Sequence, residues 1–206
     1  MSKHSAELNE TKVKILHAAA LIVKREGATA LTLESAAKEA GISKGGLLYN
    51  YPNKDTLIKC MNEYLLNQYL DNIQTRVAEA KDVNLSNGGK WTRAYIKESF
   101  ETQAQDNDYS TVLLTLAALQ NEDRTMYQEK QKYMQKCSES DKINPLMATI
   151  LRLAADGLQF HEALGQSAIN PEMREKLEKT MLDLTDEREA WQGSWRKSYL
   201  LPRYNI

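Results

Sequence analysis

Apolar residues return every three to four positions along most of the chain, and nowhere do they alternate with period two for long enough to make a strand. The expected fold class is all-α, with about nine helices. Leu16, Ala19, Ala20 and Val23 mark one helical face, and the spacing predicts a first helix over 9–26 closed by a left-handed cap at Gly27. After a short segment, Thr32 stands where an N-cap opens a second helix over 33–40. Gly41 ends that helix, Ile42 plugs the turn, and Ser43 caps a short third helix over 44–50, which Pro52 stops. Asn53 caps a long fourth helix whose stripe is Ile58, Met61, Leu65, Tyr69 and Ile73.

Further on, 83–90 reads as a loop, placed within the second domain because it follows the long fourth helix. Helices are predicted over 91–104, 109–120 and 121–137, then a polar loop over 138–144. Asn144-Pro145 pairs an N-cap with proline at the first helical position and opens a helix to about Leu164, with Gly165 as its stop. Asn170-Pro171-Glu172 repeats the device and opens a last helix with the stripe Met173, Leu177, Met181 and Leu184. The tail from Trp191 is aromatic and basic and receives no element.

Composition narrows the class. A hydrophobic fraction of 42% with 27% charged residues is that of a globular protein, and nine Gly and four Pro suit long helices. No run of eighteen apolar residues suggests a membrane span, and the polar start from Met1 to Glu10 has no apolar signal core. Two cysteines, Cys60 and Cys137, fit a reducing cytoplasm, so a cytoplasmic location is expected. Charge is uneven: residues 1–60 carry +3 net, and the remainder −4. A mildly basic head on an acidic remainder suits a head that approaches phosphate.

Two short helices, 33–40 and 44–50, joined through Gly41, form a helix-turn-helix layout whose second helix enters a DNA major groove by its N-terminal end. That helix begins Ser43-Lys44-Gly45-Gly46. Glycine inside a helix costs about 1 kcal/mol against alanine, so two in succession need a reason. Bare backbone N–H groups approaching phosphate oxygens would supply one. Lys44 adds charge, Tyr49 a ring with a hydroxyl, and Lys54 a cation in a first helical turn where the dipole disfavours it. For an isolated segment, an ordinary loop and a solvated lysine are the simpler reading.

The stretch Thr32-Leu33, Ala36-Ala37, then Ala40 through Asp55 without a gap, then Leu57, closely resembles the head of the TetR family of transcription regulators, in its Gly-Gly-Leu-Leu-Tyr subgroup. The resemblance covers about residues 9–60 and reverses the simpler reading. It implies a DNA-binding domain over 9–60 and a ligand-binding and dimerisation domain over 61–206. It places Thr32, Ser43, Lys44, Gly45, Gly46, Tyr49, Asn50 and Lys54 at the DNA. Thr32, Tyr49 and Lys54 would hold phosphates, while Lys44, Gly46 and Asn50 would face base edges. Ala36, Ala37, Ile42 and Leu47 would form the head's core. Many members carry an aromatic at the position of Leu48 and Tyr or His at that of Asn50, and Tyr49 is the residue assigned here to the phosphate contact.

Beyond residue 70 the resemblance is faint. Leu153-Ala154-Ala155-Asp156-Gly157-Leu158 with Leu164-Gly165 is similar to the penultimate helix of many members, which dimerise through their last two helices. The residues themselves offer Ile150, Leu151, Ala154 and Leu158 on one helix and Leu177, Met181 and Leu184 on the other, stripes that could equally face the protomer's own core. The family also implies a small-molecule inducer. Candidates for its pocket are Trp91, Tyr95, Phe100, Tyr109, Met126, Tyr133, Met134, Phe160 and His161, each also explicable as core. His161 and Glu162 with Asp156 match no metal-ligand spacing, and no phosphate loop or nucleophile motif points to an enzyme. The expectation is a homodimeric repressor that binds a double-stranded pseudo-palindromic operator, needs no cofactor and is released by a small molecule. The rival is a helical protein–protein adaptor without DNA binding.

Overall fold

The computed structural model describes residues 9–80, 88–101, 109–118, 124–165 and 168–186. Among these residues every regular element is helical: α1 (Glu10–Glu26), a 3-10 turn (Ala28–Ala30), α2 (Leu33–Glu39), α3 (Lys44–Asn50), α4 (Lys54–Glu79), α5 (Lys90–Glu101), α6 (Tyr109–Ala118), α7 (Thr125–Glu139), α8 (Pro145–Ala163) and α9 (Pro171–Asp183). The tail from Trp191 and most of the 83–90 run lie outside the described residues.

Side chains set most helix starts. Asn9, Thr32, Ser43, Asn53, Asn144 and Asn170 each accept a first-turn backbone N–H, a cap worth about 1 kcal/mol. Thr32 goes further and forms a reciprocal capping box with Ser35. α2 ends in a Schellman motif: Gly41, at φ 62°, donates to the Lys38 carbonyl at 3.1 Å, and Ile42 to that of Ala37 at 3.0 Å. Gly27 departs from the left-handed cap expected of it. Its φ of 87° is positive, but a ψ of 160° carries the chain into the 3-10 turn.

The polar loop expected at 138–144 begins later, because Ser138 and Glu139 stay in α7. Ser138 is fully buried, and its hydroxyl donates to the Met134 carbonyl at 3.2 Å, which satisfies it inside the helix. Residues 88–89 run hard against the segment after α7. A Cβ on Gly88 would stand 2.3 Å from the Lys142 carbonyl oxygen, and Gly89 has φ 78°. Asp141 then takes the N–H groups of Trp91 and Thr92 at 2.9 and 2.7 Å and so starts α5.

α1, α2 and α3 close around small side chains: Ala18, Ala19, Ala20, Ala36, Ala37 and Ala40 are buried beside Leu47. Burying Leu47 completely contributes about 2 kcal/mol. α4 leaves this head and packs on α1, α5 and α6, while α5 rests on α8 and α9, and α7 on α8. One continuous apolar core therefore runs from Ile15 to Met181. It includes the whole stripe foreseen for α4.

Candidate functional site

α3 presents its first turn and one flank to solvent. Ser43, Lys44 and Gly45 are exposed, and Tyr49 is 91% exposed. Two residues on, Tyr51 is 3% exposed, and its hydroxyl donates to the Lys12 carbonyl of α1. Burial pushes that hydroxyl's pKa up. The two tyrosines thus divide between surface and core, and the outward one is Tyr49.

The glycines also divide. The Gly46 N–H is taken by Ser43 Oγ at 3.0 Å, so it is not a bare donor as the sequence suggested. A Cβ at Gly46 would lie 3.3 Å from that same oxygen, whereas one at Gly45 would meet nothing within 4 Å. Neither has positive φ. Among the described residues nothing crowds position 45, so the space beside Gly45 is open.

Asn50 is half-buried and donates its amide to the Gly46 carbonyl at 2.8 Å. Lys44 Nζ lies 3.9 Å from Glu34 of α2, both largely exposed. Thr32 is exposed at the start of α2, its hydroxyl engaged in the capping box. Lys54 is the first residue of α4, just past the Asn53 cap and beside Asp55.

The residues foreseen for a dimer face separate by burial. Leu151, Leu158 and Met181 are at most 5% exposed and belong to the protomer's own core, while Leu177 and Leu184 are half-buried against it. Ile150 and Ala154 do face outward. With them stand Leu146 at 69% and Leu153 at 54% exposure, then Phe160 and Leu164. Positions 146, 150, 153, 157, 160 and 164 step by four and three, the spacing of a coiled-coil seam. Gly157 sits in that row, and a Cβ there would meet nothing within 4 Å. Exposed Met173 and Ile169 extend the apolar surface to α9 and the segment before it.

The pocket candidates scatter too. Trp91, Tyr95, Phe100, Tyr109 and Met134 are buried and Met126 partly so, but Tyr133, Phe160 and His161 are exposed. The Tyr133 hydroxyl accepts from Gln74 and also bonds Cys137, and His161 Nδ1 sits 2.8 Å from the Gly157 carbonyl. Those three stand away from the buried set because they lie on the outer faces of α7 and α8. His161, Glu162 and Asp156 are not gathered: Glu162 pairs with Arg174, and Asp156 with Arg152. Cys60 and Cys137 are half-buried, and burial pushes both thiols up, as for small hydrophobes.

The buried set continues into polar residues that the aromatic pattern did not reveal. Tyr95 donates to Asp156, which pairs with Arg152 at 2.9 Å. Arg152 also donates to Gln131 and Gln135 at 3.1 and 2.9 Å. Gln131 reaches the hydroxyls of Tyr109 and Tyr127, and Tyr69 stacks on Tyr109 at 4.7 Å and bonds Ser99. α4, α5, α6, α7 and α8 all contribute. Burial raises the Asp156 carboxyl above its usual range despite the opposing pull of Tyr95 and Arg152. It raises the hydroxyls of Tyr69, Tyr95 and Tyr109 as well. Among the buried side-chain polar atoms without a hydrogen-bond partner are Thr92 Oγ1, Arg152 Nε and Gln159 Oε1. The available sequence signal was Arg152 and Asp156, four apart on the face that also carries Leu151, Ala155 and Leu158.

Two family models match the chain. Residues 15–61 fit "Bacterial regulatory proteins, tetR family", and residues 89–186 fit "Tetracyclin repressor-like, C-terminal domain". A curated relative from Bacillus subtilis (strain 168), the uncharacterized HTH-type transcriptional regulator YerO, is 25% identical over 112 residues. That alignment covers 52% of this chain and 36% of the relative. Among solved structures, the fatty acid degradation regulator FadR from Bacillus halodurans superposes with a TM-score of 0.66 at 16% identity, covering 85% of this chain and 96% of its own. AibR, in complex with isovaleryl coenzyme A and operator DNA, gives 0.63 at 18%, covering 86% and 98%. The multidrug binding protein EbrR, complexed with malachite green, gives 0.60 at 19%, covering 86% and 99%. The tetracycline-repressor architecture thus extends over both halves, and the chain belongs to the TetR family of bacterial regulators.

Proposed function

We propose that this chain is a ligand-responsive transcription regulator, a repressor that binds a pseudo-palindromic operator as a homodimer and is released by a small molecule. Residues 9–60 act as the DNA-binding domain and 61–206 as the effector and dimerisation domain. The observation that carries the reading is α3: its N-terminal turn is exposed, Tyr49 stands out beside it, and Gly45 leaves space that nothing among the described residues fills. Such a helix end can approach a major groove closely enough for backbone N–H groups to reach phosphate. Lys44 and Tyr49 flank that approach, and Lys54 holds the phosphate backbone beside it.

Dimerisation uses the outward row of α8, Leu146, Ile150, Leu153 and Leu164, with Gly157 admitting a close helix crossing. Two heads held this way can read two half-sites one helical turn apart. The effector enters the interior among Trp91, Tyr95, Tyr109, Arg152 and Asp156, where the unpartnered atoms of Arg152 and Gln159 can receive polar groups. The AibR complex with isovaleryl coenzyme A and operator DNA, and EbrR with malachite green, support a fold able to hold both kinds of partner. Effector binding tilts α4 and shifts the separation of the heads, a change of population between two states.

A gel shift of the full chain against the promoter region beside its own gene, at several salt concentrations, tests the DNA reading. Binding whose log affinity falls linearly with log salt is expected. No binding at low salt would favour the adaptor reading instead, and binding without a salt slope would remove the phosphate contacts.

A further inference from the structure

At the end of α4 farthest from the Asn53 cap, Arg76, Glu79 and Ala80 face Lys90, Arg93, Ala94 and Lys97 of α5 across a cleft of about 220 Å3. Among the described residues four cations and one carboxylate line it, although residues 61–206 as a whole are net acidic. The cations differ in how they are compensated. Arg76 is clamped by Glu98, at 2.7 Å, and by Glu101. Arg93 directs its guanidinium at the Leu182 carbonyl and Thr185 Oγ1, both neutral, and makes no ion pair among the described residues. Lys90 and Lys97 make no ion pair among the described residues.

Positions 90, 93 and 97 fall on one face of α5, where like charges at these spacings repel. These three cations line one concave surface without an ion-pair partner among the described residues, and an anion there would offset their mutual repulsion. The operator cannot be that anion, because the 26 residues of α4 separate the cleft from the head.

We propose that this cleft is an anion-binding site, and that Lys90, Arg93 and Lys97 hold a phosphate or carboxylate group there. The bound anion sits against the Arg76 clamp, where it opposes Glu98 and Glu101 for the same guanidinium and so bears on the junction of α4 with α5. Nothing in this requires DNA binding, and the site is separate from the interior cluster around Arg152.

The test is thermal unfolding and isothermal titration of the full chain with inorganic phosphate in one arm and citrate in the other, each matched to sodium chloride of equal ionic strength. A saturable rise in Tm beyond the chloride control is expected in at least one arm; phosphate alone assigns phosphoryl chemistry, and citrate alone assigns carboxylate chemistry. Lys90→Gln with Lys97→Gln should weaken that binding about tenfold or more, while Lys97→Arg should keep it. The double variant should keep its fold, since Lys90 and Lys97 are half-buried neighbours of Arg93 and neutralising them relieves like-charge repulsion. Responses no larger than chloride in both arms, or an undiminished response in the double variant, would overturn the site. Both readouts use protein without DNA, so loss of the operator reading would leave this result standing.

Discussion

In the head, alanines bring three helices close around Leu47, and the polar groups of α3 either cap their own helix or face solvent. In the rest of the chain the arrangement inverts. Tyr69, Tyr95, Tyr109, Arg152 and Gln159 are buried, and the conspicuous outer surface of α8 is apolar. An apolar interior of small side chains has one good packing and holds a reading surface rigid. A polar interior has hydrogen bonds that can be exchanged for those of a guest, at the cost of needing every partner present. The contrast teaches where to expect rigidity and where to expect response.

The contrast can be broken by mutation. Arg152→Met removes one partner of a buried ion pair and strands Asp156, so urea titration should show a loss of about 3–5 kcal/mol. Adding Asp156→Asn should recover much of it; a single variant within about 1 kcal/mol of wild type would mean that the interior does not depend on its charges. Next in size, Ile150→Glu with Leu153→Glu should weaken self-association by about 2 kcal/mol or more. Sedimentation should then find a folded monomer, and an unchanged dimer would place the interface elsewhere.

Alkaline unfolding sharpens the comparison further. Tyr95 and Tyr109 hold their protons more tightly folded than unfolded, so their contribution is intact below the ordinary phenol pKa and declines as pH climbs past about 10. Each should subtract about 1.4 kcal/mol per pH unit there. Replacing both by Phe should flatten the dependence of the urea midpoint on pH, and an unaltered slope would argue against their burial as neutral groups.

In the head the expected effects are smaller in stability and larger in affinity. Gly45→Ala should stabilise the fold by up to about 1 kcal/mol yet weaken operator binding, because its methyl occupies the open approach. Gly46→Ala should gain less, since its Cβ would crowd Ser43 Oγ. A Gly45→Ala protein with full operator affinity would detach the glycine from DNA. Smallest of all, Lys54→Ala should lower the log–log salt slope by about 1 and weaken all sequences alike.

The same inversion explains what the sequence could disclose. Head elements are declared locally: Thr32, Ser43 and Asn53 are caps visible three residues ahead of the N–H they bind, and Gly41 marks its own turn. The body's helices were legible for the same reason at Asn144-Pro145 and Asn170-Pro171. Which face of α8 points inward was not. Its apolar residues run almost around the helix, so Leu151 and Leu158 could not be told from Ile150 and Leu153 without their neighbours. The interior cluster escaped because its pairs are 61, 21 and 17 residues apart, as with Tyr95–Asp156, Arg152–Gln131 and Arg152–Gln135. Polar side chains at such separations look like surface until the fold joins them.

α4 joins the two regimes in one piece: its Asn53 cap lies beside the head's α3, and its Arg76 clamp is fixed to α5. At 1.5 Å per residue, its 26 residues make a rod about 39 Å long. A rotation of about 5° about the clamped end carries the capped end through about 3.4 Å, the rise of one base pair. Two protomers swinging in opposite senses would double the displacement, enough to put two reading helices out of step with the groove.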